Sequence, residues 1–114
     1  MKIQSKSIDN LCIIYLPDEF EKQMLTDSLE EELNTVVQEN INYDIIINMR
    51  YVKFISSLGL GILVRIVREL WNSGKKLHIC SINNIINELL EIVNLRELVN
   101  IYDDEEEAVQ SLTN

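Results

Sequence analysis

Phe54–Arg68 reads FISSLGLGILVRIVR, and its two halves follow different periodicities. An apolar run from Ile45 to Ile55, broken by Asn48, Arg50 and Lys53, arrives at the adjacent Ser56 and Ser57. Directly after them an apolar stripe begins at helical spacing, with Leu60, Leu63, Ile66 or Val67, and Leu70. The pattern predicts a strand, a serine junction and a helix. Serine suits such a junction because its hydroxyl accepts a hydrogen bond from a free amide of the first turn. Gly59 and Gly61 stand where a neighbouring backbone or a partner would need close approach. A hydroxyl at the positive end of a helix is also where a phosphate is tolerated best. The junction is therefore a candidate covalent switch.

Working outwards, Lys2–Ile8 and Leu11–Leu16 are strand-like runs separated by Asp9-Asn10, a tight hairpin turn. Pro17-Asp18 punctuates the chain, and a helical stripe follows from Asp18 to about Glu39 through Phe20, Met24 or Leu25, Leu29, Leu33, Val36 and Val37. Tyr43–Met49 is a third strand whose near-continuous apolarity predicts cover on both faces. The Leu58–Asn72 helix ends near Ser73-Gly74, with Gly74 as its C′ residue. Lys76–Ile82 is a fourth strand, and Asn83-Asn84 cap a helix with Ile85, Ile86, Leu89, Leu90 and Val93 as its stripe. Leu98–Tyr102 is a last short strand, and Asp103–Glu107 begins a final helix. This order predicts one α/β domain over residues 1–114. Its sheet is mixed, with four to five strands, an N-terminal hairpin followed by parallel strands, and about four helices.

The bulk numbers narrow the function. A chain of 114 residues suits one domain, and 46% hydrophobic with 25% charged residues is an ordinary soluble composition. The net charge of −9 opposes binding to nucleic acid or to an anionic membrane surface, and favours a protein partner with a basic face. No secretory signal is visible at Met1–Lys6, and the apolar stretches Leu11–Leu16 and Leu58–Val64 are too short to span a bilayer. Cys12 and Cys80, far apart and without a CxxC pattern, read as buried free thiols. The expectation is a cytoplasmic protein, monomeric when free.

Catalytic patterns fail one by one. Ile55 and Leu58 flank the serine pair, so no G-x-S-x-G elbow forms, and His78 is the sole histidine. One histidine and two distant cysteines make no metal cluster. Val64 takes the third glycine's place in a dinucleotide motif, and no phosphate-loop sequence exists. The reading is not an enzyme, with no cofactor and no metal. Trp71 reads as a partly buried anchor, and Asp103–Glu107 as a solvated helix start. Ser57, by spacing alone, is most simply an ordinary N-cap.

Ser56-Ser57-Leu58-Gly59-Leu60-Gly61, preceded by the strand Ile45–Met49, resembles the signature of the STAS family, and most closely its small, single-domain anti-anti-sigma factors. The family pattern runs from a strand through an Asp-Ser-Ser-Gly-Leu-Gly type turn into a helix. On that match Ser57 falls at the phosphoacceptor serine, with Ser56 the second choice. Ser56 stands where many members carry aspartate, Leu58 replaces a second serine or a small residue, and Asn48 takes the place of another aspartate. The resemblance implies an anti-sigma factor antagonist that binds an anti-sigma factor with serine kinase activity and so frees a sigma factor. Phosphorylation at Ser57 would switch it off, and a serine phosphatase would reset it. ATP would belong to the partner, and Lys53, Ser56, Ser57, Leu58, Gly59 and Gly61 would form the docking surface. Two other classes stay open: a STAS scaffold subunit of a stress-signalling or lipid- or anion-transport complex, and a small-ligand binder.

Overall fold

The computed structural model describes residues 3–17 and 27–113. In chain order its elements are β1 (Gln4–Ile8), β2 (Leu11–Tyr15), α1 (Asp27–Glu39), β3 (Asp44–Asn48), α2 (Ser57–Asn72), β4 (Leu77–Cys80), α3 (Asn84–Ile92), a 3-10 turn at Arg96–Leu98, β5 (Val99–Tyr102) and α4 (Glu105–Thr113). The expected order of elements is recovered. The opening of the first expected helix, with Phe20, Met24 and Leu25, lies outside the described residues.

The five strands lie in the order β1-β2-β3-β4-β5. β1 runs antiparallel to β2 through a turn in which Asp9 has a φ of 53°, a conformation that aspartate and asparagine tolerate. All later pairs are parallel, with Ile13 opposite Ile46, Ile47 opposite Ile79, and Ile79 opposite Ile101. Parallel strands need crossovers, and α1, α2 and α3 supply them.

Alternation along the strands sorts side chains into two layers. Cys12, Ile14, Ile45, Ile47, Leu77 and Ile79 form the larger core with Leu33 and Val37 of α1, Leu63, Ile66 and Val67 of α2, and Ile86 and Leu90 of α3. Leu11, Ile13, Ile46 and Cys80 point the other way, beneath Ala108 of α4, with Val109 and Leu112 beside it. Burial on both faces explains why β3 is an unbroken isoleucine run. The two thiols belong to different layers and are free, and burial pushes both up from their ordinary pKa.

Two helix ends fix the return to the sheet. After α2, Gly74 adopts φ 80°, its amide bonds Trp71 O and that of Lys75 bonds Leu70 O, a Schellman arrangement. Asn94 (φ 61°) repeats this after α3. Trp71, expected to be a partly buried anchor, is instead exposed, because α2 turns the adjacent Leu70 inward.

Candidate functional site

The parallel pairing brings the C-terminal ends of β2 to β5 to one edge, and the loop from β3 to α2 starts there. Such an edge is where parallel α/β sheets present their functional loops. Asn48 ends β3 fully buried, and its amide is divided between two tasks. Oδ1 accepts the backbone N–H of Arg50 at 2.9 Å, while Nδ2 donates to Glu105 Oε1 at 3.1 Å. The loop then closes a turn through Val52 N–H to Met49 O. Met49, Val52 and Ile55 are its buried anchors, leaving Arg50, Tyr51, Lys53 and Phe54 facing out. Asn83, the N-cap of α3, donates its Nδ2 to Lys53 O at 2.8 Å and so ties the loop to the next crossover.

At the end of this loop the two serines separate. Ser56, at 0% exposure and with extended backbone (φ −70°, ψ 165°), is the N-cap of α2. Its Oγ accepts from Gly59 N–H at 3.1 Å and its carbonyl accepts from Leu60 N–H at 2.8 Å. Ser57, simplest by spacing as a cap, is instead the first residue of the helix and is exposed. Ile55 and Ser56 are both buried, and with Ser56 held as the cap the first helical turn directs the Ser57 and Leu58 side chains outward. One hydroxyl is spent on structure, and the other faces solvent at the positive end of a 16-residue helix.

The loop and first turn that carry Ser57 also expose three large side chains. Tyr51 is 51% exposed, Phe54 46% and Leu58 47%. Gly59 is buried, contributing the amide that Ser56 caps, while Gly61 is exposed with open space where a Cβ would sit. Lys53 is exposed on the same loop. Aromatic and leucine side chains held out of a core by a rigid loop are suited to a protein surface rather than to water.

A second cluster at this edge was not foreseen. Glu105, at the start of α4, is not part of a solvated acidic face: Oε1 accepts from the Tyr15 hydroxyl at 2.6 Å as well as from Asn48, and Oε2 lies 3.2 Å from Lys6 Nζ. Burial pushes the Glu105 carboxyl up, but hydrogen bonds from Tyr15, Asn48 and Lys6, with the Lys6 charge, together hold it below its ordinary value. Arg50 completes the group, its guanidinium 5.4 Å from the Tyr15 ring centre and 4.8 Å from that of Tyr51. The sequence carries only part of the signal, the inward spacing of Glu105 and of Tyr15, and not their meeting. Glu105, Ala108, Val109 and Leu112 share the spacing of one inward stripe, and Tyr15 alternates in register with Leu11 and Ile13.

His78, set aside as a catalytic group, is buried in β4 with its Nδ1 3.3 Å from the Tyr102 hydroxyl. Among the described residues no helix is long and apolar enough to cross a membrane.

The STAS domain family model matches residues 2–108. The anti-sigma-B factor antagonist of Staphylococcus aureus (strain NCTC 8325 / PS 47) is 30% identical over 76 residues, 67% of this chain and 70% of the relative. The crystal structure of an anti-sigma factor antagonist from Mycobacterium paratuberculosis superposes with a TM-score of 0.79 at 17% identity, covering 99% of this chain and 94% of the other. The Bacillus cell fate determinant SpoIIAA, solved in its phosphorylated form, superposes with a TM-score of 0.71 at 18% identity, covering 96% and 98%.

Proposed function

The chain belongs to the STAS domain family, and on that premise we propose that it is an anti-sigma factor antagonist whose binding is switched at Ser57. In its unphosphorylated form it docks onto an anti-sigma factor through the rim of Tyr51, Phe54 and Leu58 around Ser57, and a sigma factor is released. The anti-sigma factor is also the kinase. The Ser57 Oγ attacks the γ-phosphorus of the partner's ATP, its proton passes to a base on the kinase, and ADP leaves. A phosphatase resets the switch when water displaces the serine oxygen from phosphorus. The chain itself acts as a binding module in the cytoplasm.

The observation that carries this reading is the division of labour between the serines. Ser56 is buried as the cap, so Ser57 stands free of that task on an exposed first turn. A phosphoserine there adds about −1.5 to −2 charges. The helix N-terminus accommodates that charge in the free domain, whereas a partly dry interface does not. Release therefore needs no refolding.

Leu58→Glu tests the docking face: affinity for the anti-sigma factor should fall strongly while urea unfolding stays near wild type. Phosphosite mapping after incubation with the kinase and Mg-ATP should find Ser57 modified in wild type and in Ser56→Ala. Modification at Ser56 alone would refute the assignment.

A further inference from the structure

Arg50 is a cation held in place without an acid to hold it among the described residues. Its backbone N–H is fixed by the buried Asn48, its guanidinium lies over the rings of Tyr15 and Tyr51, and one of its nitrogens donates to Tyr51 Oη at 2.9 Å. Among the described residues it forms no ion pair, although the chain carries nine more acids than bases. Glu105, which shares Tyr15 with it, is already engaged by Lys6, Tyr15 and Asn48. A guanidinium offers five N–H donors in a planar fork, so most of its hydrogen-bonding capacity remains unspent. Stacking on two rings also removes much of the side-chain entropy that an exposed arginine would lose on binding.

We propose that Arg50 is a specificity determinant of the docking face, pre-set to accept a carboxylate of the anti-sigma factor in a two-pronged pair. The proposal rests on the docking reading given above. Arg50 and Ser57 are the two ends of one loop, with exposed Tyr51, Phe54 and Leu58 along it. Arginine with flanking aromatics is the composition of an interface hot spot. A chain of net charge −9 is best complemented by a partner face that is predominantly basic. A single fixed cation inside that arrangement demands one acid at one place, so it sets register and rejects partners lacking that acid. The occupant is a partner carboxylate rather than a phosphate, because Arg50 serves the unphosphorylated, binding-competent form.

The test uses the full chain and the purified anti-sigma factor that it binds, by calorimetry, with Leu58→Glu as reference. Arg50→Glu should weaken binding about 100-fold, since like charges then meet in the interface. Arg50→Lys, which keeps the charge but loses the fork, should weaken it about tenfold. A lysine in place of the contacted acid on the partner should restore binding to Arg50→Glu. Melting curves of both variants should match wild type. If Leu58→Glu loses binding while Arg50→Glu stays within twofold of wild type, the Arg50 assignment is wrong and the docking face stands. If neither changes affinity, the docking face itself is misplaced. An effect of Arg50→Gln confined to the Ser57-phosphorylated chain would give the guanidinium to the phosphate and overturn the proposal.

Discussion

Replacing Asn48 by aspartate changes one atom's chemistry and should make the domain's stability depend on pH in a new direction. Asn48 Nδ2 donates to Glu105 Oε1 at 3.1 Å, so the substitution sets an oxygen against an oxygen. With both carboxylates ionised at 3.1 Å, an effective dielectric of about 20 gives a repulsion of about 5 kcal/mol. The alternative is to keep one proton, which for a carboxyl of ordinary pKa costs about 4 kcal/mol at pH 7. The cheaper route wins, and the shared proton restores a hydrogen bond, so the loss at pH 7 should be about 3–4 kcal/mol. One folded-state pKa is then raised above its unfolded value, and the folded state holds more protons between the two. The penalty accordingly vanishes below the unfolded pKa, grows as pH rises, and is complete above the raised one. Wild type behaves oppositely at this site. Its Glu105 carboxyl is lowered, so that contribution is present above the unfolded value of 4.5 and is lost as pH falls through the folded one. Urea unfolding of both proteins at pH 4.5 and 7.5 reads the difference, and Glu105→Gln added to Asn48→Asp should remove it. A deficit below ~1 kcal/mol at pH 7.5, or one independent of pH, would refute the assignment of the Asn48–Glu105 bond.

Two further substitutions separate structure from binding. Ser56→Ala deletes the cap to Gly59 N–H and should cost about 1 kcal/mol by urea unfolding while leaving Ser57 a kinase substrate. Gly61→Ala meets nothing in the chain and should stabilise α2 by about 0.5–1 kcal/mol in the same assay, yet lower affinity for the anti-sigma factor where the partner approaches closely.

The order of elements and the parallel run of strands after the hairpin were legible because two periods alternate cleanly along the chain. Isoleucines run unbroken through β3, and helical stripes begin directly after capping residues such as Ser56 and Asn83. The candidate serine was legible only as one of a pair. Which of the two caps depends on where the loop hands over to the helix and which hydroxyl is buried there, a tertiary matter that spacing does not specify. The exposed aromatics Tyr51 and Phe54 merged into the apolar run, since they alternate with buried anchors at every third residue, Met49, Val52 and Ile55, and sequence alone does not tell the two kinds apart. The Glu105 cluster joins residues 105, 48, 15 and 6, and no local pattern reports so long a connection. Charge clustering at Asp103–Glu107 also masked it, because one inward carboxylate among solvated ones looks the same in sequence.

The central claim is that a phosphate on Ser57 ends binding while the domain stays folded. Calorimetry of the anti-sigma factor against the unphosphorylated chain and the same chain stoichiometrically phosphorylated at Ser57 tests it directly, with melting curves of both forms. A desolvation and like-charge penalty of ~3 kcal/mol predicts affinity weaker by somewhat more than a hundredfold, with the two melting temperatures close together. Equal affinity of the two forms, or loss of binding only because the phosphorylated chain unfolds, would contradict the account.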